Sequence, residues 1–342
     1  MMKNNYTYRK ETSNGTEWYR GMITRENRNI YNPPEQLILE SGWNKHLIEP
    51  PELYYGEDNN SQAVILERLF SNFPKLEGLI CPVVDGIVYH YTTWEVLFKG
   101  ILNESNLDAR GNRCLVLRAY SVNYMNDSSE GLLLPIGIAD HEREFIHSFG
   151  KEISQFRYNI WQRGAEQRKQ KRFSISFSHE NDSLPMWNYY GFNGKGICLG
   201  FDVKAICDQG HEIYDCIYDV SNIYKLANVA YENRAKYPGF LSLLAKDIHF
   251  EYERECRISI DSIYPGNYIK TDRDIFYPIK YDLKGGYIVP YVDIFLPLSS
   301  IKEIVIGPTN NIVRAEDSLR GWLSSIDLRN IRIKTSNAPL AI

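Results

Sequence analysis

Three carboxylates and a guanidinium fall in one alternating row of a short stretch, Phe250–Ile260, FEYERECRISI. With a period of two, Glu251, Glu253, Glu255, Arg257 and Ser259 share one side of a strand, while Phe250, Tyr252, Cys256, Ile258 and Ile260 line the other. Glu is depleted in strands and like charges at i, i+2 repel, so these proton affinities rise unless Arg257 or a ligand compensates. A row of this kind suits general acid–base work, metal binding or the gripping of sugar hydroxyls. The plainer account is a solvated face salt-bridged to Arg257.

The elements that would position such chemistry follow from local pattern. IVYHY (87–91) is a short apolar strand, and Thr92 then opens a T-x-x-E capping box with Glu95. His90 and Tyr91 therefore lie where a strand gives way to a helix start, a place whose orphan N–H groups suit anions. CLVLRAY (114–120) is the next strand, followed by Asn126, Asp127, Ser128 and Glu130, which is ordinary helix-start chemistry. Phe145, Phe149, Ile153, Phe156 and Ile160 predict a helix over about 140–170. Its end is basic at Arg163, Arg168, Lys169, Lys171 and Arg172, either complementing the helix dipole or contacting phosphate. FSISFS (173–178) places Ser174, Ser176 and Ser178 on one strand face, and Trp187 and Tyr190 sit on a short helix begun by Pro185. KGICLGFD (195–202), a hairpin around Lys284-Gly285-Gly286, IKEIVIGP (301–308), a helix at 311–323 and IRIKTS (331–336) complete the pattern. Strands and helices alternate irregularly with hairpins among them, which predicts an α+β fold rather than a doubly wound one.

Composition narrows the classes. A net charge of −4 and an ordinary 24% of charged residues give no general attraction to nucleic acid or acidic membranes. Tyrosine is abundant, with 25 copies, through either an aromatic-lined pocket or the codon bias of an AT-rich genome. No apolar run reaches the roughly 18 residues of a membrane span, and the start lacks a signal-peptide core, which predicts a cytoplasmic protein. The six cysteines form no CxxC pair, so neither zinc spacing nor a redox motif is present; Cys198 and Cys256 read as small core residues. No G-x-G-x-x-G follows a strand and no GxxxxGK[ST] occurs. Residues 1–80, rich in Asn, Glu and Pro and with one helix expected at 62–72, read as an accessory region packed on a main domain at 81–342.

The ordered blocks YHYT (89–92), RAYSVNYMNDSSE (118–130), FSISF with W-x-x-Y and KGICLGFD, YERECR (252–257) and IKEIVIGP carry a resemblance. On them the chain is identified as a member of a bacterial domain-of-unknown-function family, number 2971, over about residues 85–340. Cys256 stands where that family's YExEWR block commonly has Trp. The family in turn resembles, more distantly, the ADP-ribosyltransferase superfamily, which implies a split mixed or antiparallel sheet with flanking helices and NAD as substrate. Carried over residue by residue, His90 matches that superfamily's first motif and Glu255, with Glu253 two before it, the last. The middle position is open among Ser176, Trp187 and Tyr190.

That resemblance implies Glu255 stabilising an oxocarbenium-like ribose, Glu253 orienting the acceptor and His90 holding ribose hydroxyls. Tyr190 or Trp187 would stack the nicotinamide, Arg257 would hold the carboxylates or a phosphate, and Tyr91, Thr92, Ser176 and Asn126 would complete the NAD contacts. No metal is required. The acceptor would be protein, nucleic acid or water, and a toxin or anti-phage effector is the corresponding role. Two other readings stand beside it. One is a metal-dependent nuclease using Glu251, Glu253, Glu255 and Asp127, though without a Lys beside the acids. The other is a non-enzymatic binding or sensor module in which the acid row is only salt-bridged surface.

Overall fold

The computed structural model describes residues 8–13, 16–21, 70–71, 74–125, 133–134, 172–232, 239–261, 268–270 and 276–339. It is an α+β fold built on a mixed open sheet. At the N-terminus β1 (Tyr8–Ser13) and β2 (Thr16–Gly21) form a separate antiparallel hairpin. The expected helix at 62–72 lies almost wholly outside the described residues, as does the one at 140–170.

The main sheet is organised around β5 (Arg172–Ser178), whose FSISFS alternation buries Phe173, Ile175 and Phe177 on one face and turns the serines to the other. Along one edge β5 pairs antiparallel with β8 (Glu255–Asp261) over its whole length, and β8 pairs in turn with the short β7 (Ile213–Asp215). The other edge is divided. β4 (Cys114–Ser121) pairs with Phe173 and Ser174, while β3 (Ile87–Thr92) pairs only at Ser178, so the sheet forks beside Ile175–Phe177. One arm continues through β12 (Tyr287–Pro297) to β11 (Lys280–Lys284). The other runs through β6 (Ile197–Asp202) and β13 (Ile301–Ile306) to β14 (Arg332–Thr335), the last pair parallel. The β11–β12 turn is the expected one: Gly285 and Gly286 both take positive φ, 59° and 84°, as a two-residue hairpin loop requires. β9 (Tyr268–Lys270) and β10 (Phe276–Pro278) pair apart from the main sheet.

Both faces are covered. Leu97 and Ile101, Val203 and Ile206, and Leu319 and Leu323 bring three helical segments onto the face of Phe173, Ile175 and Phe177. The last two belong to the helix Ile312–Ser325, started by Asn311, whose side chain accepts from the Arg314 N–H at 3.2 Å. On the opposite face, the helix Leu184–Tyr189 lays Met186 and Trp187 over Tyr91, Cys198 and Val305. A second cluster there joins Leu76 and Ile80 to Tyr214, Leu226, Leu241 and Leu244.

Two local expectations shift. Thr93, not Thr92, is the helix cap, accepting from the Val96 N–H at 3.2 Å, and Glu95 turns to Lys99 instead of closing a capping box. The acid stretch is not one strand. Asp247 accepts from the His249 N–H and starts a 3-10 helix over Ile248–Glu253, and Arg254 takes a left-handed φ of 42° before β8 begins at Glu255. Alternation in EYERECR matches a strand as well as a short helical turn, and the Asp247 cap decides for the turn.

Candidate functional site

The broken strand separates the three acids. Glu251 is exposed, whereas Glu253 and Glu255 are each buried and both accept from the Nζ of Lys246, itself buried. Arg257, two residues along β8 and on the same face, clasps Glu255 with Nε to Oε1 at 2.6 Å and Nη2 to Oε2 at 2.8 Å. Its Nη1 donates to the Leu243 carbonyl at 2.6 Å, and the Tyr190 hydroxyl donates to Glu253 Oε1 at 2.7 Å. The Glu255 N–H donates to the Tyr218 hydroxyl at 2.9 Å. Two cations thus face two anions in a closed lattice with side-chain exposures of 1–5%.

Proton affinities follow from that pairing. Burial pushes the Glu255 carboxyl upward, but the charges of Arg257 and Lys246 outweigh it and hold it at about 2. Glu253 moves the other way, raised by burial and by the Glu255 charge against the pull of Lys246. Lys246 is raised, the two carboxylates overcoming its burial. The solvated face offered as the plainer account does not form: Glu251 is exposed, but Glu253, Glu255 and Arg257 make a desolvated, neutralised cluster with Lys246. The Lys found missing beside the acids is present, drawn in from the apolar run LSLLAKDI.

His90 does not join it. Tyr89 lies opposite Ser178 and Ser178 opposite Glu255, so these three share a face and the intervening His90 points to the other. There its ring meets Phe177 edge-on at 6.0 Å, and its Nδ1 donates to the Ser176 carbonyl at 3.0 Å, beside the fork. A carbonyl only accepts, so the ring proton sits on Nδ1. Burial, with a contribution from the Lys284 charge, lowers the His90 pKa and keeps the ring neutral. A single sugar held by His90 and Glu255 together is excluded by this arrangement.

The remaining expected contacts divide. Trp187 is fully buried and its Nε1 donates to Asp182 at 2.7 Å, so it is a core residue and not a stacking platform. Tyr91 packs edge-on against Trp187 at 4.8 Å, donates its hydroxyl to the Glu180 carbonyl at 2.9 Å and is closed to ligand. Thr92 is buried with its carbonyl against Gly196. Ser176 shares the face of Arg257, its cross-strand partner. Arg172 is buried at the start of β5 and donates to Ser242, which removes it from any phosphate-contacting patch. Arg163, Arg168, Lys169, Lys171, Asn126 and Asp127 lie outside the described residues.

Tyr190 leads outward from the lattice toward two exposed rings. Its ring lies 6.4 Å from that of Tyr189, and Tyr189 lies 6.2 Å from Tyr252 at 34°. Tyr189 is 69% exposed, Tyr252 39% and the neighbouring Phe192 63%. Nothing in sequence spacing joins Tyr189 to Tyr252; the 3-10 turn before β8 does, carrying Tyr252 to the helix Leu184–Tyr189. Among the described residues no helix is long and apolar enough to cross a membrane.

No curated protein and no solved structure matches the chain. One family model does, over residues 186–258, the segment that contributes Trp187, Tyr190, Lys246, Glu253, Glu255 and Arg257. Over that segment, which builds the ion-pair lattice, the chain matches the family described as protein of unknown function (DUF2971).

Proposed function

We propose that the chain is a binding module that takes a planar, ring-bearing ligand on the Tyr189–Tyr190–Tyr252 shelf, with the acid row serving as its buried support. One observation carries this reading: Lys246 and Arg257 already neutralise Glu253 and Glu255 out of contact with water. A carboxylate so buried and neutralised is out of reach of a sugar or Mg²⁺ unless the lattice first opens. The exposed rings, by contrast, offer stacking surface with a hydrogen-bonded hydroxyl beneath.

The second reading is an NAD-consuming transferase on an ADP-ribosyltransferase-type core. It is favoured by the fork in the sheet at Ile175–Phe177 and by Tyr190, which joins the surface to Glu253. It needs Lys246 displaced on binding and dispenses with His90 as a partner of Glu255. The nuclease reading loses its metal row, because Glu251 is exposed while the other two acids are buried and paired.

Calorimetric titration with NAD, ATP and GTP, paired with a nicotinamide-release assay, separates these readings. The module predicts that at least one binds without turnover and that Tyr189→Ala/Tyr252→Ala weakens it roughly 5- to 150-fold, the worth of about 1–3 kcal/mol of ring stacking. Nicotinamide release or a labelled acceptor, lost in a folded Glu255→Gln variant, would establish the transferase instead. Failure of every ring-bearing ligand to bind refutes both.

A further inference from the structure

Where β5, β7 and β8 end side by side, three ligating side chains from distant parts of the sequence meet. His179 follows β5, Asp215 closes β7 and Cys256 stands one residue into β8. Asp215 is the cross-strand partner of Cys256, and the His179 N–H donates to the Arg254 carbonyl at 3.0 Å, which pins His179 beside them. The ligand atoms of all three lie within 4.8 Å of one another, and His179 Nε2 is 2.6 Å from Asp215 Oδ1. They sit on the face opposite Glu255 and take no part in the lattice.

We propose that His179, Asp215 and Cys256 form a site for a single zinc-class divalent cation. One imidazole, one carboxylate and one thiolate are the borderline-soft set that zinc takes, and three protein ligands with a fourth position open are the usual form of an accessible zinc site. Zinc bonds of about 2.0–2.3 Å at tetrahedral angles put ligand atoms roughly 3.3–3.8 Å apart. Closing on the ion needs shifts of about 1 Å, within the reach of rotating side chains. Cys256 is buried, whereas the side chains of His179 and Asp215 are 32% and 39% exposed, so the ion enters from the solvent side and the fourth position faces water. On binding, the Cys256 thiol loses its proton to solvent, the proton shared by His179 Nε2 and Asp215 Oδ1 moves through solvent to Nδ1 of the same ring, and that hydrogen bond gives way to two metal bonds. The plainer alternative is an isolated His–Asp pair over a core thiol.

Cobalt(II) distinguishes them, since a thiolate–cobalt bond produces an intense near-ultraviolet charge-transfer band. Full-length protein, stripped with chelator and titrated with Co²⁺, is expected to develop that band to saturation at one equivalent and lose it on adding Zn²⁺. Cys256→Ser removes the band, and His179→Gln weakens Co²⁺ binding by more than about 100-fold. His179→Gln changes a partly exposed side chain, so it keeps the test open should Cys256→Ser not fold. Absence of the band in the native protein, or a band that survives in either variant with unchanged affinity, overturns the site.

Discussion

Replacing Lys246 by Met tests whether the acid row is a closed lattice or a site waiting for a ligand. The substitution keeps the length of the stem and removes one of two cations, leaving Glu253 and Glu255 to share Arg257 in a space where side-chain exposure is 5% or less. Breaking a buried ion pair from one side costs about 3–5 kcal/mol, because the remaining charge is stranded. Lys246→Met should therefore lower the urea-unfolding free energy by that amount at neutral pH. Adding Glu253→Gln restores charge balance around Glu255 and Arg257, and the double variant should recover at least about 2 kcal/mol of the loss. The pH dependence has a definite sign. The folded Glu253 carboxyl is already raised, so the folded state holds its proton more tightly than the unfolded chain. Its contribution is most favourable below the unfolded value and is lost as pH rises through the folded one. The Lys246→Met penalty must then shrink on acidification toward the unfolded Glu range. A loss under about 1 kcal/mol, or a double variant no better than the single, would refute the closed lattice and restore an accessible carboxylate.

Two further substitutions probe the frame around it. Gly196→Ala places a Cβ 2.3 Å from the Thr92 carbonyl and 2.9 Å from that of Gly191, both backbone, and should cost about 1–3 kcal/mol or more in chemical unfolding. Tyr190→Phe removes the donor to Glu253 and should cost about 1.5–3 kcal/mol, with a further rise in the Glu253 pKa seen as a shifted pH–stability curve. Unchanged stability in that variant would mean that the tyrosine hydroxyl does not bind the buried carboxylate.

Much of the frame was legible in sequence because it rests on local signals. The apolar runs at 87–91, 114–120, 197–202 and 301–306 and the alternating run at 173–178 are strands, the Gly285–Gly286 turn is a hairpin, and Asn311 starts a helix. Cys198 and Cys256 are core residues as expected. The acid stretch misleads for an identifiable reason. Alternating charge and apolarity over a few residues fits either a strand or a 3-10 turn, and the choice is made by Asp247 and the left-handed Arg254.

What sequence alone determined, then, is which segments extend, which turn, and that Glu253, Glu255 and Arg257 must be reckoned with together. Only the tertiary structure decided that Lys246 neutralises those acids, that His90 lies across the sheet from them, and that His179, Asp215 and Cys256 meet. The reason is geometric. Local pattern sets the side of a strand on which a residue stands, whereas pairing register and the covering segments set which distant side chains share that side and whether water reaches them.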